Sequence, residues 1–243
     1  MEMRYFREPT PHAEIPQLLA PGDFAQLRFP YIPQREGGRT GRDLFPGELR
    51  HRHLLTEPGW RQLATAFLNE GTLRRILDLF GDDMRRQGCL VDPDKAYLEP
   101  YEEPGADILK AVISEDADPN ALFFRFDVHE VRGREWGFAH VDWPRRVVGG
   151  MLFLSSADEE GMEGGEFGLY VDRDFRDDRV PHDPELRKAV PVVKNTGALF
   201  LNSNTGFHGP VPIRALRGVR RWVYFSVSSR RNVWPTAETT PAA

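Results

Sequence analysis

A single cysteine, Cys89, occurs in the 243 residues. No intrachain disulfide can form, so the chain reads as one for a reducing, cytoplasmic compartment. No apolar run approaches the roughly 20 residues that span a bilayer. The opening MEMRYFREPTPHAEIPQ lacks the apolar core of a secretion signal. Neither a membrane partner nor export is expected. Positive charge is not in excess either: 32 Lys and Arg stand against 37 Asp and Glu, for a formal charge of −5. Nucleic-acid binding, which wants a basic face or stripe, is therefore not expected. Internal repeats and low-complexity tracts are missing. What remains is an ordinary globular composition, 40% hydrophobic and 28% charged, on a chain long enough for one domain with a sizeable core. Composition does not give the oligomeric state.

The pattern along the chain changes once. Residues 1–58 are rich in proline, glycine and charge and read as loops and extended segments lying across a core built later. Within them EGGRTGRD (36–43) fits a plain surface loop or a lid. From Trp60 to Gln87 the period is helical. Trp60, Leu63, Phe67 and Leu68 mark one face, and Leu73, Ile76, Leu77 and Phe80 mark another. Gly71 and Gly88 sit where helices stop, and GADILKAVIS (105–114) suggests a third helix. Such faces are core, with no chemistry assigned to them.

From about residue 121 the period becomes two. ALFFRFDVHEV, RVVGGMLFLSS, GGEFGLYV, AVPVVKN, GALFLNS, GPVPI and RRWVYFSVSS all read as strands separated by glycine, proline and acidic clusters. Many short strands without intervening helices predict a mainly β sandwich or jelly roll supported by N-terminal helices, an α+β organisation. The expected layout is a single domain: supporting loops and helices over 1–120, a β core over 121–234, and a tail over 235–243.

FAHVDWP (138–144) places His140 and Asp142 two residues apart. On a strand both side chains share a face and can reach one ion. His208, in NTGFHGPVPI, is the third candidate ligand. Two histidines and one carboxylate on one side of a metal make the facial triad of non-heme Fe(II) oxygenases, leaving the other side open. A closed structural zinc site wants a fourth ligand, and no cysteine lies nearby. Arg220 and Arg221 open the strand RRWVYFSV, and an arginine fork binds a carboxylate bidentately. Only one of the two can face inward.

The ordered set HVDWP at 140, MLFLSS at 151, GGEFGLY at 164, FHGPVPI at 207 and RRWVYFSV at 220 resembles the Fe(II)- and 2-oxoglutarate-dependent dioxygenases, in particular their prolyl-4-hydroxylase-like branch. The resemblance covers roughly residues 121–230. It implies a cupin-like double-stranded β-helix, His140, Asp142 and His208 as iron ligands, and 2-oxoglutarate and O2 as co-substrates, with ascorbate as an accessory reductant. Arg221 is the first choice for the 2-oxoglutarate carboxylate and Arg220 the second. The sequence departs from the family at Phe153, where many relatives carry a tyrosine that helps hold 2-oxoglutarate. A hydroxyl from Tyr224 or Ser226 is the expected replacement. Related halogenases have a small residue at the position of Asp142, so hydroxylation or another C–H oxidation is favoured over halogenation.

Other residues have less specific signals. Arg125, Asp127 and His129 share one strand face and are candidate substrate contacts, with a solvent-facing strand edge as the alternative. Trp143 walls the pocket or packs structurally. Gly164 and Gly165 suggest a turn or bulge. His51 and His53 read as surface or helix-edge residues. The expected reaction oxidises a small molecule, an amino acid or a secondary metabolite as in antibiotic biosynthesis. Two alternatives stay open: a prolyl-type hydroxylase of protein side chains, and a non-catalytic cupin-like binding module.

Overall fold

The structure is a computed structural model that describes residues 2–33, 41–105, 114–133 and 138–235. The expected third helix, most of the expected lid and nearly all of the tail lie outside the described residues.

The alternating segments form two sheets. In the larger, the strands run in the order β1 (Arg4–Phe6), β2 (His12–Ile15), β9 (Thr196–Leu201), β6 (Arg146–Phe153), β11 (Arg220–Ser229), β5 (Ala121–Val131) and β3 (Gly41–Leu44), with β4 (Tyr97–Leu98) beside the start of β5. The smaller sheet has the order β10 (His208–Pro210), β7 (Phe167–Asp172), β8 (Pro184–Val190). A bridge between His140 and His208 attaches the H-x-D segment to its β10 edge. The chain therefore alternates between sheets, β5 to the His140 segment to β6, then β7 and β8, then β9, β10 and β11. This winding is the expected jelly roll, a double-stranded β-helix.

Strand parity decides what lies between the sheets. On β11, Val223, Phe225 and Val227 join the core beneath the helices, whereas Trp222 joins the apolar cluster between the sheets. On β9, Leu199 and Leu201 face the helices and Ala198 and Phe200 face inward. Helices α3 (Pro58–Phe67) and α4 (Glu70–Arg86) cover the outer face. Trp60, Leu63, Phe67, Leu73, Ile76 and Phe80 are all fully buried there, and each stabilises the fold by about 1.5–3 kcal/mol. Asn69 caps α4 by accepting a hydrogen bond from the Thr72 N–H at 2.9 Å.

Several expectations change. The extended segments of the N-terminal part are sheet strands: β1 and β2 extend one edge of the large sheet and β3 the other, with short helix α1 (Pro21–Phe24) between β2 and β3 and α2 (Leu49–Leu54) after β3. The strand expected at AVPVVKN begins earlier, as β8, because PELRKAV is a mostly exposed strand with little apolar signal. His51 is buried, contrary to the surface reading, and donates from Nε2 to the Phe126 carbonyl at 2.7 Å. His53 is exposed. Gly164 and Gly165 do form a tight turn, with φ of +80° and +78°.

Candidate metal centre

His140, Asp142 and His208 converge at the mouth between the sheets, their donor atoms all within 4.8 Å of one another. Local backbone pairing brings them there. The His140 and His208 backbones exchange two hydrogen bonds, each 2.9 Å. Asn202, fully buried at the end of β9, accepts from the Asp142 N–H at 2.8 Å and donates to the carbonyls of Trp143 and Arg146. It clamps the loop carrying the carboxylate. Sequence reading missed this residue, and an asparagine directly after the apolar run GALFL was the only signal.

The imidazoles are oriented for metal binding. His140 Nδ1 lies 2.9 Å from the Phe138 carbonyl and His208 Nδ1 lies 3.0 Å from the Gly206 carbonyl. A carbonyl only accepts, so each Nδ1 carries a proton and each Nε2 is turned into the site, where it can share a proton with Asp142 or, with that proton lost, offer its lone pair to a metal. Both Nε2 atoms face Asp142, with His140 Nε2 3.5 Å from Oδ1 and His208 Nε2 3.6 Å from Oδ2. Ligand distances of about 2.1 Å put neighbouring donors roughly 3–3.4 Å apart, so a small contraction would seat an ion. The donor set, two imidazoles and a carboxylate with no thiolate, fits Fe(II).

The electrostatics are those of a cation site. Burial pushes the Asp142 carboxyl up, but the charge of His208 and the hydrogen bonds from both histidines outweigh it and hold it well below the usual carboxylate range. Burial pulls His140 down, but the Asp142 hydrogen bond and charge outweigh it and raise it. Tyr224 Oη donates to Asp142 Oδ2 at 2.7 Å, and the Phe200 ring packs on His208 at 3.9 Å between centroids.

The arginines separate by parity. Tyr224 points inward, so Trp222 and Arg220 do too. Arg220 is 3% exposed and its guanidinium lies 4.5 Å from the Trp222 ring. Arg221 faces the other way, pairing with Glu130 at 3.1 Å and covering Phe29 at 4.8 Å. The inward arginine is therefore Arg220, the second choice, and Arg221, the first choice, faces outward. Phe153, opposite Trp222 on β6, faces inward and is fully buried. The hydroxyls expected to replace its missing one are engaged elsewhere. Tyr224 holds Asp142, and Ser226 pairs with Ser228 at 2.9 Å deep in the fold.

The candidate substrate residues also divide. Arg125 and Asp127 do lie on the inner face, but in a buried ion network. Arg125 meets Asp127 at 2.8 Å and Glu103 at 2.8 Å, and Glu103 also holds Arg145 at 3.0 Å and Arg146 at 2.7 Å. Arg125 and Asp127 are 1% and 4% exposed, so both support the barrel rather than its opening. Trp143 is stacked under the Arg179 guanidinium, 3.9 Å away. His129 remains partly exposed and pairs with Asp43, which sequence reading did not single out.

No helix among the described residues is long and apolar enough to cross a membrane. No family model matches the chain, and no curated protein matches it. Solved structures similar to it include a prolyl hydroxylase from Trichoplax adhaerens in complex with a hypoxia inducible factor oxygen degradation domain peptide, at TM-score 0.46 and 10% identity, covering 89% of this chain and 83% of that one. AviO1 from Streptomyces viridochromogenes Tue57 aligns at TM-score 0.41 and 15% identity, covering 96% and 92%. A 2OG-Fe(II) oxygenase family oxidoreductase from Burkholderia pseudomallei aligns at TM-score 0.40 and 15% identity, covering 80% and 69%.

Proposed function

We propose that the chain is an Fe(II)- and 2-oxoglutarate-dependent oxygenase that oxidises a C–H bond of a small molecule. One observation carries this reading: two imidazoles, each with Nδ1 tied to a backbone carbonyl, turn their Nε2 atoms toward one partly buried carboxylate. With Fe(II), 2-oxoglutarate and O2 bound, such a site places one oxygen atom on the substrate and the other in succinate, and releases CO2. His140, Asp142 and His208 hold one side of the metal and leave the other for ligands. Tyr224 orients the carboxylate. Arg220 takes the distal carboxylate of 2-oxoglutarate, its charge desolvated and steadied by Trp222. Phe153, Phe200 and Trp222 keep water from the reacting atoms. Asp142 fills the position a halide would need, which favours oxidation over halogenation.

An amino acid or a biosynthetic intermediate is the favoured substrate, because the inner wall offers a few polar groups among aromatic rings. Oxidation of a peptide side chain is the second reading. It draws on Phe138, 58% exposed with its ring 5.6 Å from that of His140.

The test is succinate release with Fe(II), ascorbate and air against pools of amino acids, sugars and aminoglycosides, nucleosides and peptides, with Asp142→Ala as control. Stimulation by one pool that the control lacks supports the oxygenase and identifies the substrate class. Absence of succinate together with absence of anaerobic Fe(II) and 2-oxoglutarate binding would leave a cupin-like binding module.

A further inference from the structure

A single transverse row crosses the large sheet at the level of the site. Asp43 on β3 pairs in register with His129 on β5, His129 with Trp222 on β11, and Trp222 with Phe153 on β6. The parity of β11 places this row on the inner face, between two positions already described. Two residues one way is Tyr224, whose hydroxyl reaches Asp142. Two residues the other way is Arg220. Neighbouring positions on one strand face are about 6.6 Å apart, so Trp222 lies one inward position from Tyr224, and His129, paired with it on β5, lies on the same inner wall as the Tyr224–Asp142 contact.

Within the row His129 is held on three sides. Its Nδ1 lies 2.6 Å from Asp43 Oδ1. Its ring stacks on Trp222, centroids 5.0 Å apart and planes 18° apart, and the edge of Phe45 closes a third side at 6.2 Å. In the neutral ring the carboxylate partner takes the proton at Nδ1, which leaves the lone pair on Nε2. The ring geometry turns Nε2 away from Asp43, and it makes no hydrogen bond among the described residues. The His129 side chain is 17% exposed, so the acceptor is within reach of a ligand. Ion pairs as buried as Arg125 with Asp127 need no such opening.

We infer that Asp43 and His129 form a substrate-anchoring dyad in which His129 Nε2 accepts a hydrogen bond from a hydroxyl or protonated amine of the substrate, with Trp222 as the adjoining wall. The substrate class is thus a small polar molecule bearing a donor group some distance from the carbon oxidised. A carboxylate-only compound is disfavoured, because both the Nε2 lone pair and the Asp43 charge repel it. The inference rests on the oxygenase reading.

The experiment separates the two. Anaerobic titration with Fe(II) and 2-oxoglutarate, followed by the charge-transfer absorption of the complex, is run on wild type, His129→Phe, His129→Gln and Asp43→Asn. All four are expected to develop the absorption. Failure in wild type would remove the oxygenase reading, whereas failure confined to the variants would show that the row supports the cofactor and would overturn the dyad. Substrate-stimulated succinate release is then compared for amino acids and amino sugars and for their N-acetylated and O-methylated forms. His129→Phe keeps the ring stacking but removes the acceptor, and is expected to raise KM for the free probes by about tenfold or more with little change in kcat. His129→Gln restores an acceptor and recovers part of that loss. An unchanged KM in His129→Phe, equal use of blocked and free probes, or no stimulation by any free probe would each overturn the inference.

Discussion

Tyr224 holds Asp142 through a 2.7 Å hydrogen bond that no apolar residue can supply. Outer-shell partners of this kind are typically worth about 10–100-fold in metal affinity. Tyr224→Phe is expected to keep the fold and weaken Fe(II) or Mn(II) binding by that range in an anaerobic titration. Unchanged affinity would show that the neighbouring histidines orient Asp142 unaided. Asp127 gives a second prediction at this scale. Burial pushes its carboxyl up to about 6, against the opposing charge of Arg125. The folded state therefore favours the protonated form. Its stabilising contribution is present below the ordinary value of 3.8 and is lost as pH rises through about 6. Asp127→Asn removes that loss, so the variant should gain on wild type by about 3 kcal/mol between pH 4 and 7. Urea titrations across that range measure it, and a flat difference would refute it.

Among the elements, β6 shows how packing reaches the candidate metal ligands. Its sequence VVGGM carries two adjacent glycines in the middle of a strand, which ordinarily weakens a sheet. A Cβ on Gly149 would lie 2.2 Å from Phe200 Cζ, and one on Gly150 would lie 2.5 Å from Leu199 Cδ2. Each missing side chain makes room for a residue of β9, one on each face. Phe200 uses that room to pack against His208, the two rings tilted by 38°. Gly149→Ala must displace the ring. The expected cost is about 1–3 kcal/mol by thermal or urea unfolding, accompanied by weaker metal binding as His208 loses its support. Lost stability with unchanged metal affinity would uncouple the ring from the ligand.

Across the whole molecule, one carboxylate joins the parts. Glu103, from the segment after β4, contacts Arg125 on β5 and both Arg145 and Arg146 at the start of β6. Burial raises its carboxyl, but the three arginines outweigh that and hold it below its ordinary value. Its contribution is present above about 4.5 and is lost as pH falls through the depressed value. That slope is opposite to the one from Asp127, so the two contributions together are greatest at about pH 4, where their windows meet. Glu103→Gln leaves three buried guanidiniums with one anion fewer and should cost about 3–5 kcal/mol in urea unfolding at pH 7. A loss under about 1 kcal/mol would mean that the network is solvated and of little account.

The sequence by itself determined the residues that chemistry cannot exchange and the patterns that burial repeats. The grouping of His140, Asp142 and His208 was legible because a metal site would accept few donor types and their order along the chain is distinctive. The strands β5 and β11 were legible to the residue because alternation over ten or more positions leaves one register. Tertiary structure decided what depends on a contact between distant segments. Arg220 and Arg221 are adjacent in sequence and equivalent in chemistry. Which face of β11 is inward is settled by long-range contacts, among them the Tyr224–Asp142 bond spanning 82 positions and the packing of Trp222 between the sheets. His51 looked like a helix-edge residue until the Phe126 carbonyl, 75 positions away, gave its N–H a buried partner. Asp43 and His129 stand 86 positions apart, and no local pattern links them. Periodicity reports which face a residue shares with its neighbours along the chain, whereas the identity of the group across that face is settled by strand pairing.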